Sequence, residues 1–254
     1  MTVPLNHAVE GPDDAPVLVL LNSLGTDLRM WDAQAAALAD ELRIVRCDAR
    51  GHGASPTAPA PWTLADLGRD VLALLDSLGV ERTSIAGVSL GGATAVWLAA
   101  HAPDRVERLV ACFTSAYFGP PDPWLERAAT VRAEGVAAVS EGVLSRWFTD
   151  AIEPDLRARM KAMLDATPPD GYAAATEVVA ALDLRDDLAA VVAPTLVVSG
   201  AEDTATPPAQ GRALAACIPG ANFTELPATA HLGNVERPDA VTDLIRAHLR
   251  KELP

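Results

Sequence analysis

A mostly parallel, doubly wound α/β sheet with one inserted helical cap is the architecture this sequence predicts, on three observations. Short apolar, β-like runs alternate with helical patterns up to about Val110, the rhythm of strand–helix–strand units. From roughly Ser115 to Val192 only helical patterns occur, opened by the breaker run Gly119-Pro120-Pro121-Asp122-Pro123. At Pro194 the strand pattern resumes. The expected division is therefore a core of residues 1–114 and 193–254 with a cap of residues 115–192. With 254 residues, 50% of them hydrophobic, the chain can bury one large core, and no repeat or flexible linker divides it.

The elements follow in order. A first strand holds His7, and Val17–Leu21 forms a second, wholly apolar one. Ala33–Leu42 reads as a helix, Leu42–Cys47 as a strand, and Leu64–Leu78 as a helix stopped by Gly79. Thr83–Ala86 is rich in β-formers and leads to a helix over Ala93–Ala100, and a further strand ends at Cys112. In the cap, helical patterns cover Trp124–Gly135, Val136–Phe148, Pro154–Ala166 and Gly171–Leu188, with Pro168-Pro169 as a break. Pro194–Gly200 and Ala221–Leu226 are the last strands, and an amphipathic helix carrying His248 closes the chain.

Composition narrows the function. A formal charge of −14 disfavours nucleic acid and anionic membrane surfaces as partners. The three cysteines, Cys47, Cys112 and Cys217, lack metal-ligand spacing and read as small core residues, so neither metal nor cofactor is expected. No apolar run is long enough to span a bilayer, and Met1-Thr2-Val3-Pro4-Leu5 lacks the blocks of a secretory leader. A cytoplasmic monomer or small homo-oligomer acting on a small molecule is the expectation.

The chemistry concentrates at Gly87-Val88-Ser89-Leu90-Gly91, a G-x-S-x-G pattern between a strand and a helix. Ser89 should stand on a strained elbow with its Oγ at the positive end of the helix, and the flanking glycines should remove Cβ atoms that would strike neighbouring backbone. An elbow serine is served by an acid and then a histidine later in the chain. Asp203, in the loop leaving the Thr195–Ser199 run, fits the acid, and His231, after Ala221–Leu226, fits the base. Glu202 should point away. Asp183, Asp186 and Asp187 lie in a charged helical stretch, and His248 should face solvent. His52, between Gly51 and Gly53, is the rival base, but it precedes Ser89 on a loop expected to shape the pocket wall. The oxyanion donors should be the amide of Leu90 and that of Leu24, in the loop Asn22-Ser23-Leu24-Gly25-Thr26, with Ser23 beside the substrate.

Taken together, these segments resemble the α/β hydrolases, and within them the 3-oxoadipate enol-lactonases. The resemblance rests on the elbow, on Asn22–Asp27 with Met30-Trp31, and on Asp48-Ala49-Arg50-Gly51-His52-Gly53-Ala54-Ser55. It extends through Ala65–Asp70, Arg146-Trp147-Phe148-Thr149, Ala166–Tyr172 and Ala230-His231-Leu232, nearly the whole chain. It departs at Phe113–Phe118, where Asn-Thr-Ala and a basic residue would be usual, and at Gly233, where serine is usual; both positions are expected near the pocket entrance. The resemblance implies opening of a carboxylate-bearing enol lactone by Ser89, His231 and Asp203 through an acyl-enzyme. The carboxylate would meet Arg127 or Arg146, or the indole N–H of Trp124 or Trp147. Alternatives are another small-substrate hydrolase on this scaffold (carboxylesterase, C–C bond hydrolase or perhydrolase) or, against the intact Ser–Asp–His set, a non-catalytic ligand receptor.

Overall fold

The computed structural model describes residues 1–250; residues 251–254, the end of the expected core, lie outside the described residues. Seven strands form one sheet: β1 (His7–Glu10), β2 (Val17–Leu21), β3 (Arg43–Cys47), β4 (Thr83–Val88), β5 (Val106–Cys112), β6 (Thr195–Gly200) and β7 (Asn222–Leu226). Their order is β1-β3-β2-β4-β5-β6-β7. Every pairing is parallel except β1 on β3, which caps one edge antiparallel. The central strands β4 and β6 are buried along their whole length, as a sheet covered on both faces requires.

The covering helices of the core are α1 (Asp32–Leu38), α2 (Leu64–Ser77) and α3 (Leu90–His101) before the insertion. The insertion between β5 and β6 contributes α4 (Asp122–Glu134), α5 (Ser140–Trp147), α6 (Pro154–Asp165) and α7 (Pro169–Ala181). After β6 come α8 (Pro208–Cys217), the single turn α9 (Gly233–Glu236) and α10 (Pro238–Leu249). α2 starts at a capping box in which the Thr63 hydroxyl accepts from the Asp66 amide and the Asp66 carboxylate accepts from the Thr63 amide. Two segments singled out in the sequence meet here: Arg50 donates to Asp70 through Nε at 2.6 Å and Nη2 at 2.8 Å, both residues buried. That bidentate pair ties the loop after β3 to α2.

Several expectations need correction. The helix expected over Gly171–Leu188 ends at Ala181; Asp183 instead forms a bridge with Tyr117 and pairs with Arg185, so the acidic run lies on turns. The pattern over Val136–Phe148 is broken at Val139 into a short 3-10 turn and α5. Cys217 is exposed rather than in the core. No helix of the described residues is long and apolar enough to cross a membrane.

His248, read as a surface residue, is buried, with Nε2 3.1 Å from the Pro194 carbonyl oxygen. His52 is buried too, its Nδ1 3.1 Å from the Arg50 carbonyl oxygen and its Nε2 without a partner among the described residues. Burial pushes both imidazoles below the usual histidine value. The native state thus holds them neutral while the unfolded chain takes up protons near pH 6.5, so their contribution is complete above that pH and lost as pH falls below it. Each can impose a slope of up to about 1.4 kcal/mol per pH unit. Urea unfolding from pH 7 down to pH 5 should therefore show a falling midpoint, with a shallower fall in His52→Asn; equal slopes would contradict the assignment.

Candidate active site

The elbow is where local sequence dictates geometry most strictly. Ser89 has φ 56° and ψ −118°, a strained conformation for a side-chain-bearing residue. The backbone around it is tied to the end of β5 and the residues just after it: the Ser89 amide donates to the Cys112 carbonyl at 3.0 Å, and the Thr114 hydroxyl donates to the Ser89 carbonyl at 2.7 Å. A Cβ on Gly87 would overlap the Gly91 and Gly92 backbone, and one on Gly91 would overlap the carbonyls of Leu21 and Asn22. Only glycine lets β4, the turn and α3 approach so closely, as the motif requires.

Asp203 and His231 come together behind Ser89. His231 Nδ1 lies 2.9 Å from Asp203 Oδ2, with both side chains buried. Asp203 Oδ1 also accepts from the amides of Ala205 and Thr206, each at 2.8 Å, and its Oδ2 from the Thr206 hydroxyl at 2.8 Å. Four donors thus saturate one buried carboxylate and fix its plane. Thr206, wholly buried, also lies 3.3 Å from His231 Nδ1. Its signal in the sequence was the Asp-x-x-Thr spacing, which lets an aspartate cap the amides two and three residues on. Glu202 is exposed.

Ser89 and His231 share the wall of a cavity of about 240 Å³ with Ser23, Leu24, Arg127 and Trp147. The insertion provides most of the opposite wall, through Trp124, Arg146 and Tyr172 among others. His52 is not among these residues, so the rival base stands away from the pocket. The carbonyl of Ser23 accepts from the Thr26 amide at 3.2 Å and the Thr26 hydroxyl at 2.8 Å, a tight turn that presents Leu24 to the cavity. Leu90 borders a separate, smaller space beside Leu21 and Asn22. Its amide heads α3, where an N–H has no intrahelical acceptor.

The four cap side chains separate into distinct roles. Trp124 spends its indole N–H on the Phe118 carbonyl at 3.2 Å and serves as a shelf for Arg127, whose guanidinium carbon sits 4.6 Å from the ring centroid. Trp147 is buried, and its carbonyl accepts from the Leu232 amide at 2.9 Å, pinning α5 to the loop that carries His231. Arg127 is half-buried and Arg146 more open, and neither has a carboxylate partner among the described residues. Partial burial and the like charge of Arg127 lower Arg146 from its ordinary value. Arg132 and Arg157 of the same insertion, by contrast, pair with Glu177 and Glu141.

The two departures noted in the sequence meet at Phe113 and Gly233, while Phe118, at the other end of the first, lines the cavity. Phe113, fully buried at φ 47°, fills the space beside Gly233, where a Cβ would overlap its ring. Because Gly233 follows His231 by two residues, Gly233→Ala should cost about 1–3 kcal/mol of stability by overpacking and lower kcat by displacing the imidazole. Thermal denaturation and steady-state rates of Gly233→Ala and of Gly233→Ala with Phe113→Leu check this; the double variant should recover part of both losses, since the new Cβ still meets the Thr229 methyl.

Comparison with known proteins gives this geometry its context. Residues 16–238 match the family model for the alpha/beta hydrolase fold. The chain is similar to 3-oxoadipate enol-lactonase 2 of Acinetobacter baylyi, 36% identical over 98% of this chain and 94% of that one. In structure it is similar to the enol-lactonase from Burkholderia xenovorans LB400, with TM-score 0.95 and 43% identity over 97% of this chain and 96% of that one. It is also similar to a malate-bound thermophilic esterase from Thermogutta terrifontis, with TM-score 0.92 and 32% identity over 98% of this chain and 93% of that one. The chain belongs to the α/β hydrolase fold family and is an enzyme of the hydrolase class.

Proposed function

We propose that this hydrolase opens a small carboxylate-bearing enol lactone, 3-oxoadipate enol-lactone, to 3-oxoadipate in the degradation of aromatic compounds. The observation that carries the reading is the pair Arg127 and Arg146, facing Ser89 and His231 across one cavity without a carboxylate of their own. In a protein of charge −14 the long-range field repels an anionic substrate, so recognition must be local. Two guanidiniums gathered beside the reacting serine supply that local attraction.

In the proposed mechanism His231 Nε2 takes the proton of Ser89 Oγ as the oxygen attacks the lactone carbonyl. The oxyanion is held by the amides of Leu24 and Leu90. Asp203 keeps the proton on Nδ1 and stabilises the imidazolium. The ring oxygen departs as an enolate that becomes the ketone on protonation. Water, deprotonated by His231, then releases the product from Ser89. The helical insertion acts as the cap that excludes bulk water and brings the arginines to the substrate.

Spectrophotometric turnover of 3-oxoadipate enol-lactone, measured beside neutral aryl esters, tests the proposal directly. The lactone should have the higher kcat/KM. Arg127→Gln should reduce the lactone-to-ester ratio by about tenfold, the scale of one charge-assisted hydrogen bond at a half-exposed site. Equal or better turnover of the neutral esters would overturn the substrate assignment.

A further inference from the structure

Tyr172 is a third polar group of the cap wall, and the sequence did not single it out as a site residue. It stands at the start of α7 and is wholly buried, yet it lines the cavity. Its ring packs against Gly25 of the Ser23–Thr26 turn, since a Cβ at Gly25 would lie 2.9 Å from Cε2. The hydroxyl has no hydrogen-bond partner among the described residues. Arg127 and Arg146 both act on it, but a guanidinium only donates, so the phenol proton has no acceptor from either. Burial pushes this hydroxyl above the usual tyrosine range, outweighing the two arginines, and it remains a donor. Two guanidiniums, on α4 and α5, thus line the cavity with no protein carboxylate between them, and the enclosed Tyr172 of α7 stands beside them.

This arrangement addresses the far carboxylate of a ligand, and it has a consequence for the range of substrates. Under the mechanism proposed above, on which this step rests, the acyl-enzyme is an acyl chain on Ser89 ending in a free carboxylate. A monoester of adipic acid yields an acyl-enzyme of the same length that lacks only the oxo group. Nor is the catalytic apparatus limited to an enolate leaving group: His231, backed by a carboxylate with four donors, can deliver a proton to an ordinary alkoxide.

We infer that the enzyme also hydrolyses monoesters of adipate-length dicarboxylic acids, holding their free carboxylate between Tyr172, Arg127 and Arg146. The Ser89 Oγ–acyl bond forms as the acyl–alkoxy bond breaks, and the serine proton passes through His231 to the departing alcohol. Water then adds to the acyl-enzyme, the Ser89 Oγ–acyl bond breaks, and the proton returns to Ser89. The net change is ester plus water to dicarboxylic acid plus alcohol.

The test compares kcat/KM for the 4-nitrophenyl monoester of adipate with that for 4-nitrophenyl hexanoate, its neutral counterpart of equal chain length. Wild type should favour the monoester by about tenfold or more, and adipate over succinate, as expected for a charge-assisted carboxylate contact at fixed distance from the serine. In Tyr172→Phe the monoester-to-hexanoate ratio should fall by about tenfold. A wild-type ratio at or below one overturns the inference, and an unchanged ratio in Tyr172→Phe removes Tyr172 from it. If Tyr172→Phe does not fold, inhibition of hexanoate hydrolysis by adipate decides: it should be strong in wild type and weakened in Arg127→Gln, and its absence in wild type overturns the proposal. Enol-lactone turnover without monoester preference defeats this inference alone, whereas monoester preference without enol-lactone turnover defeats only the proposed lactone.

Discussion

Ser89→Ala is expected to lower kcat by about 10⁴-fold or more while leaving the fold intact. The rate effect follows from losing the hydroxyl that forms the acyl-enzyme in the proposed mechanism. Stability should hold for a separate reason. The elbow is maintained by the Ser89 amide on the Cys112 carbonyl, by the Thr114 hydroxyl on the Ser89 carbonyl and by the close approach at Gly87 and Gly91, none of which uses Oγ. The melting free energy should therefore change by no more than about 0.5 kcal/mol. Stopped-flow or steady-state rates and a thermal melt on the same sample check both halves. A variant keeping more than about a hundredth of wild-type kcat would remove Ser89 from the nucleophile role.

Asp203→Asn is expected to lower kcat by about 10⁴-fold with KM little changed, and the hydrogen bonds around it say why. Oδ1 accepts from two backbone amides, so the asparagine oxygen takes that position and its NH₂ faces Thr206 and His231. A donor there makes His231 Nδ1 the acceptor and puts the ring proton on Nε2. That nitrogen can then no longer take the proton of Ser89. Steady-state kinetics with folded variant protein is the check; a loss under tenfold would assign the acid role to another carboxylate.

The parts of this molecule that were legible in the sequence are those whose cause is local. The elbow could be read because a glycine on either side of Ser89 answers a steric demand within a few residues. The same holds for β2, whose bounds Val17–Leu21 follow from one apolar run. Strand ends and chain order point to Asp203 and His231, and the structure sets the two 2.9 Å apart.

What escaped depends on distant partners. His248 reads as amphipathic surface until Pro194, far away in sequence, supplies the carbonyl that buries it. The overlong helix at Gly171–Leu188 stops at Ala181 because the chain there turns to pair Asp183 with Tyr117. Thr114 is an ordinary threonine in the sequence and gains meaning only from the carbonyl of Ser89. Trp124 shows the reverse case. Its place in the cap suggests a donor to substrate, and it instead gives its N–H to Phe118 and its ring face to Arg127.

The central claim is that one serine, on the elbow and in the arginine-lined cavity, does the chemistry. Labelling with a small sulfonyl fluoride, followed by intact-mass and peptide analysis, tests it most directly. One label per chain on Ser89, lost turnover in proportion to labelling, and protection by adipate are the predicted result. Full labelling of Ser89 with turnover retained, or inactivation with the label on another residue, would contradict it.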